Sequence, residues 1–341
     1  MIDITVCIID TGFFVPLAER VSREARKTYY FCNWENGYPH FRDYAIGQGI
    51  KDVECIDTIG EALQLMEEID LFIFPDCYYG SLASWLRSKD KLVWGMGDTT
   101  WMEQDRVLLK EWMEKEKMPL PDWNLSTGVT ELKENLKDDK FIKISQFRGD
   151  METLKHYNQT TSKQFFDEIS VVFGGGKDLI EFMDEEKVDG IESGYDMWTV
   201  DGKFPSKGLI GYEIKDQVYV GVITDTESFP KPLKYINDKL SKVFAEEKSR
   251  GFFSTEVRID KKKNPFLIDM TTRAGNPPYQ LYLEMIDNLV EVMYEGAKGN
   301  IIEPIFNSKY GAIAIIESEF AESNWIPIQI EDDSKRWTKI S

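Results

Sequence analysis

Histidine is almost missing from this 341-residue chain, His40 and His156 being the only two. With no GxSxG turn either, the sequence argues against hydrolysis by a Ser-His-Asp relay. The four cysteines, Cys7, Cys32, Cys55 and Cys77, form no CxxC pair. A zinc site or a Cys-His nucleophile therefore lacks its usual ligands. Long apolar runs are missing too: no window approaches the ~18 residues of a membrane span, and no basic stretch followed by an apolar one marks a secretory signal. Positive charge is scarce, with 41 Lys and Arg against 60 Asp and Glu and a net charge of -19. Such a surface repels nucleic-acid phosphates and anionic membranes. The short run Lys261-Lys262-Lys263, before Asn264-Pro265, reads as a solvated hairpin turn. A cytoplasmic protein with reduced thiols is expected, a monomer or homodimer, with neither membrane nor nucleic acid as partner. Cys7, Cys32 and Cys77 sit in apolar runs and read as small core residues.

What is present is a globular composition, 42% hydrophobic and 30% charged, long enough for two or three packed units. The first hundred residues alternate strand and helix. Strands are expected at Ile4 to Ile9, Thr28 to Cys32, Leu71 to Phe74 and Lys91 to Trp94. Helices are expected from Pro16 to about Lys27, from Ile59 to Glu68 and from Leu82 to Arg87. This rhythm predicts an α/β fold opening on a Rossmann-like parallel sheet. Ligands bind beyond the carboxyl ends of such strands, where Asp10, Gly12, Asp76 and Gly97 stand. Helix caps and turns are the competing reading of the same residues.

Beyond residue 100 the pattern predicts a charged helix over Asp105 to Lys117, a strand over Phe141 to Phe147 and an amphipathic helix over Ser162 to Phe173. Further strands are expected at Ile180 to Glu185, Ile191 to Val200 and Leu209 to Val222, with a turn near Asp201-Gly202. Long helices follow at Leu233 to Lys248 and Leu281 to Ala297, separated by a hairpin of Phe252 to Asp260 with Pro265 to Met270. Gly174-Gly175-Gly176 follows a helix and not a strand, so it reads as a helix stop and not as a phosphate loop.

Three features carry chemistry. Glu256 and Asp269 lie on the two arms of the hairpin and come close if it folds about Lys262 to Asn264. Two carboxylates on an apolar strand pair repel unless a cation lies between them, and Mg²⁺, with Mn²⁺ as the alternative, has the matching preference for oxygen. Two exposed carboxylates on a sheet face is the alternative. Lys143, in an apolar strand before the loop Gln146 to Leu154, is placed to meet a phosphate with Arg148, or is an edge-strand lysine. Asp184 to Val188 followed by Gly190-Ile191-Glu192 is a strand running into an extended segment, able to offer backbone groups to an adenine edge and Glu192 to ribose hydroxyls. An acidic turn is the plainer reading.

The order of these features resembles the ATP-grasp superfamily, and within it the phosphoribosylamine–glycine ligases, from the N-terminal sheet to about Pro278. The strongest local match is Ile268-Asp269-Met270-Thr271-Thr272-Arg273-Ala274-Gly275-Asn276-Pro277-Pro278. The resemblance implies ATP as cosubstrate. Metal ligands would fall at Glu256, Asp269 and Thr271, and an arginine at Arg273. Phosphate lysines would fall at Lys110 and Lys143, an adenine-binding hinge at Glu185, Glu186 and Val188, and a ribose carboxylate at Glu192. Substrate contacts would fall at Asp10, Gly12, Asp76 and Asn276, and the catalytic cations would be Arg273, Lys143 and Arg148. It implies a ligase joining a small-molecule carboxylate to an amine through an acyl phosphate, a carboxylate kinase or a non-catalytic ATP-binding module being the alternatives. The implied domains are residues 1–100, an ATP-grasp domain over 101–305 with a lid at about 141–188, and a partial C-terminal β segment over 306–341. The chain departs from the pattern where Thr271 replaces an asparagine, Asp269 a glutamate, and Asp10-Thr11-Gly12-Phe13-Phe14 a glycine-rich turn.

Overall fold

The computed structural model describes residues 2–32, 50–145, 153–214, 217–316, 329–335 and 337–339. Its contacts divide the chain into two compact units: Met1–Thr100 with Ser193–Thr255 and Thr271–Ser341, and Trp101–Glu192 with Glu256–Met270.

The first unit opens with β1 (Ile2–Asp10), α1 (Val15–Ser22), β2 (Ala25–Cys32), β3 (Val53–Ile56), α2 (Ile59–Gln64), β4 (Leu71–Ile73), α3 (Gly80–Ser88) and β5 (Val93–Trp94). The strands form a five-stranded parallel sheet in the order β3-β2-β1-β4-β5. Val6, Cys7, Ile8 and Ile9 of β1 are fully buried, as expected of a central strand covered on both faces. α1 ends earlier than its sequence pattern predicts. Ala25 already pairs with Ile2, so the residues expected to finish the helix begin β2 instead. The expected α/β class with a leading parallel sheet is what the structure shows. The four cysteines are free, and Cys7, Cys32 and Cys77 are buried.

A six-stranded sheet is ordered β14-β13-β10-β11-β12-β15; its hairpin segment Glu256–Met270 belongs to the second unit and most of the remainder to the first. Its strands are β10 (Ile191–Val200), β11 (Lys207–Ile214), β12 (Val218–Asp225), β13 (Arg250–Ile259), β14 (Pro265–Thr271) and β15 (Tyr310–Ala314). The run read as one segment from Leu209 to Val222 is two strands, β11 and β12, paired antiparallel from Lys207↔Asp225 to Ile214↔Val218. Alternation along β10 and β13 separates two aromatic clusters. Tyr195 and Phe253 pack with Phe204, Phe229 and Phe244, the last from α8 (Lys231–Glu246). Trp198 and Phe252 pack with Trp94 and Tyr282. The helix expected over Leu281 to Ala297 is broken into α9 (Pro278–Met285) and α10 (Leu289–Ala297). Ile286 is extended and bridges Phe306, and Asp287 N donates to Ile305 O at 2.9 Å. Pairing with the returning chain outcompetes one more helical turn there.

The second unit contains α4 (Trp101–Gln104), α5 (Arg106–Lys115), β6 (Trp123–Thr127), α6 (Gly128–Asn135), β7 (Lys140–Ile144), β8 (Thr153–His156), α7 (Lys163–Phe173) and β9 (Glu181–Glu186). Its four strands form an antiparallel sheet, β6-β9-β7-β8. α6 and α7 cover one face, burying Val129, Leu132, Phe165, Phe166 and Ile169 against Ile142, Ile144 and Phe182. α7 stops at Phe173, and Gly174 takes the left-handed turn (φ 49) expected of a helix terminator. Among the described residues no helix is long and apolar enough to cross a membrane.

Candidate functional site

The second unit buries an unusual density of charge. Asp105 caps α5, its side chain accepting from Leu108 N at 3.0 Å, and this fixes where the helix begins. Arg106 and Lys110 then fall one turn apart on the same buried face, each 2% exposed. Lys110 Nζ lies 2.7 Å from Glu185 Oε2, and Lys143 Nζ, from the middle of β7, lies 2.8 Å from Glu185 Oε1. One carboxylate thus bridges two ammonium groups. Glu185 is held below the usual carboxylate range by these lysines although burial opposes it. Burial lowers Lys110, with Lys143 adding to the effect; in Lys143 the charges of Glu185 and Asp269 outweigh burial and raise it.

Lys143 also donates to Ile268 O at 3.0 Å, which ties β7 to the hairpin arm carrying Asp269. Arg106 completes the connection: it donates to Ile144 O at 2.9 Å and to Asp269 Oδ2 at 3.3 Å. Glu256, on β13, stands on the other arm. Its carboxyl is pushed up to about 7, first by burial and then by the charges of Glu192 and Asp269, with Lys143 and Arg258 pulling the other way. The two hairpin carboxylates therefore do interact, and Lys143 lies within electrostatic reach of both. Glu192 is ion-paired with Arg258.

A divalent cation suits these residues. It would offset both the burial and the like charges that lift Glu256, and its ligands would be hard oxygens. Thr271 lies two residues after Asp269 on β14, and among the described residues its hydroxyl is buried without a hydrogen-bond partner. Among the described residues no group of three or more His, Cys, Asp or Glu side chains forms a complete metal cage. Such an ion would draw further ligands from water and phosphate oxygens, as Mg²⁺ does.

Other expected residues are placed differently. Glu186 and Glu185 are neighbours on β9 and face opposite ways, so Glu186 points outward to Lys140 Nζ at 3.2 Å. Val188 is half-buried in the extended segment after β9. Arg148 and most of its loop lie outside the described residues, as do Phe147, the last residue of the strand expected over Phe141 to Phe147, and residues 317–328 of the expected C-terminal β segment. Arg273 is half-buried and belongs to the first unit. The signal for Arg106, which sequence reasoning missed, was the Asp105 cap followed by the i,i+4 spacing to Lys110.

The first unit gathers acidic groups without cations. At the end of β1, Asp10 accepts from Thr11 N at 2.7 Å, Phe14 N at 2.9 Å and the Tyr30 hydroxyl at 2.6 Å. Burial, with a smaller push from Asp76, raises its carboxyl to about 7. After β4, Asp76 accepts from Cys77 N at 2.7 Å and from the Thr11 hydroxyl. Gly12 takes φ 108, open to glycine alone without strain. Asn276 is exposed.

No family model and no curated protein matches the sequence. Solved structures do. A phosphoribosylamine–glycine ligase from Thermotoga maritima superposes with a TM-score of 0.68 at 16% identity, over 91% of this chain and 79% of that one. An L-amino acid ligase from Bacillus licheniformis gives 0.63 at 14%, over 89% and 75%. The biotin carboxylase domain of a Hydrogenobacter thermophilus 2-oxoglutarate carboxylase, solved with MgADP and bicarbonate, gives 0.64 at 14%, over 92% and 74%. The fold these chains share is the ATP-grasp fold, as the sequence resemblance implied.

Proposed function

We propose that this chain is an ATP-dependent carboxylate–amine ligase that transfers the γ-phosphoryl group of ATP to a carboxylate and then joins the acyl group to an amine, releasing ADP and phosphate. The observation that carries the reading is Glu256. A carboxyl pushed up to about 7 by burial and then by the charges of Glu192 and Asp269, at the edge of a buried group of three cations, suits a ligand that brings both a divalent metal and phosphates. Glu256, Asp269 and Thr271 would hold Mg²⁺, whose charge would offset that of the phosphate oxygens.

Arg106, Lys110 and Lys143 would meet the phosphates, and their pre-arranged charge would stabilise the transferring group more than the ground state. Glu185 keeps the two ammonium groups charged and aimed before nucleotide arrives. The backbone of 186–188 would meet the adenine, and Glu192, once released from Arg258, the ribose. Arg148 and Arg273 would add positive charge at the acyl phosphate. Phosphoribosylamine–glycine ligase and L-amino acid ligase are named for different amines, so the acceptor is proposed as a class, a small primary amine, with a phosphoribosylamine–glycine-like reaction as the finer candidate.

The test is ADP release by the intact chain with Mg·ATP over a panel of carboxylates and amines. Amine-dependent release is expected. Glu256→Ala is expected to lower turnover at least about 100-fold with the fold retained, the size typical of losing one electrostatic contact to the transition state. Undiminished turnover in that variant would refute the metal assignment, and amine-independent release would favour a carboxylate kinase.

A further inference from the structure

Asp196 is a charged group buried where the sheet offers it no opposite charge. It lies in the middle of β10, 7% exposed, on a strand otherwise occupied by Tyr195, Met197, Trp198 and Val200. Only hydroxyls meet it. Tyr219, from β12, donates to Oδ2 at 2.6 Å, and Ser254, from β13, donates to Oδ1. Among the described residues no lysine, arginine or histidine pairs with it. Burial pushes its carboxyl up to about 6, with the two hydroxyls only partly opposing this.

A second polar group beside it is unsatisfied. The Tyr282 hydroxyl, on α9 and 1% exposed, has no hydrogen-bond partner among the described residues and lies within electrostatic reach of Asp196. The wall of this cluster is bare backbone. A Cβ at Gly275 would collide with Ser254 Oγ and would stand 3.8 Å from Asp196 Oδ1. The Gly275 loop is held on both sides, by Ala274 N to Pro75 O at 2.9 Å and by Tyr279 N to Gly275 O at 2.7 Å.

A buried carboxylate is costly unless a cation pairs with it, and an orphaned hydroxyl beside it adds to that cost. A primary ammonium would relieve both, since its three N–H donors match a carboxylate and neighbouring hydroxyl oxygens. We propose that Asp196, together with Ser254, Tyr219 and Tyr282, seats the ammonium group of the amino substrate. The inference rests on the ligase reading and narrows it: the substrate is a compound with a free primary amine, recognised by charge, and a neutral or N-acylated analogue is rejected.

The experiment uses the full chain with Mg·ATP and, as probes, the proteinogenic amino acids and ethylamine, each beside its N-acetyl analogue. For an amine that supports ADP release, Asp196→Asn is expected to raise its KM at least about 30-fold while the KM for ATP stays within about twofold, as for loss of one buried charge-assisted contact. Tyr219→Phe, which keeps the ring packed, is expected to raise the amine KM by about three- to tenfold, and it reads out the same contact if Asp196→Asn does not fold. An amine KM unchanged in a folded Asp196→Asn or in Tyr219→Phe overturns the proposal while leaving the ligase reading intact. N-acetyl compounds that substitute for their parent amines overturn it as well. Wild-type ADP release indifferent to every amine removes the ligase reading itself, and this proposal with it.

Discussion

The two units bury charge in opposite ways. In the second, the buried cations face carboxylates: Lys110 and Lys143 share Glu185, and Arg106 meets Asp269. In the first, Asp10 and Asp196 meet hydroxyl and amide donors and, among the described residues, no cation, and burial raises both. A compensated cluster holds its shape before any ligand comes. An uncompensated one is under electrostatic stress that a ligand of the missing sign would relieve. On the proposed function, the first kind of site would meet anionic phosphates and the second a cationic substrate.

The sharpest way to break the contrast is Glu185→Ala. It leaves two lysines, 2% and 4% exposed, without their shared partner. A stability loss of about 3–5 kcal/mol is expected, because truncating one member of a buried ion cluster strands the others. Chemical denaturation measures it, and a loss below about 1 kcal/mol would mean that the cluster is not compensated in the way the distances imply.

Asp196→Asn should act with the reverse sign. A carboxyl raised from 3.8 to about 6 binds its proton more tightly folded than unfolded, so the folded state is favoured at low pH and the penalty grows as pH rises through that window. At pH 7.5 and without ligands the variant is expected to be more stable by roughly 1–3 kcal/mol, and at pH 3.5 the difference is expected to vanish. Thermal melts at the two pH values decide this.

The smallest effect concerns Glu256. Its carboxyl must be ionised to ligate a metal, and it is raised from 4.5 to about 7. Mg·ATP affinity is therefore expected to climb by about tenfold between pH 6 and pH 8 and then level off. In Glu256→Gln, calorimetry at the two pH values is expected to show weaker and pH-independent binding.

The sequence made Lys143, Glu256 and Asp269 legible because each is a charge set in an apolar strand, where alternation leaves few places for it to point. The same rule, applied one residue further, sends the side chains of Glu185 and Glu186 to opposite faces of β9. Arg106 was hidden because helical spacing was read for apolar residues only, although the four-residue step from Arg106 to Lys110 was present. Asp196 had no local signal, because the hydroxyls that meet it lie 23 and 58 residues away, at Tyr219 and Ser254. The break between α9 and α10 had no local signal: Ile286 and Asp287 give up helical bonding for partners at Phe306 and Ile305, which lie about twenty residues away. β3, β6 and β8 are four or five residues long and interrupted by polar side chains, so hydropathy does not single them out, and their neighbours in the sheets make strands of them.

All four thiols belong to the parallel-sheet part of the first unit, and the second unit has none. Cys7 and Cys77 are sealed, at 0% and 1% exposure. An alkylating reagent therefore has a built-in clock: its slow phase counts how often the parallel sheet opens, while transient opening of the nucleotide-side unit leaves no mark. Comparing that labelling rate with and without Mg·ATP would show whether nucleotide steadies only the part it touches or the whole chain.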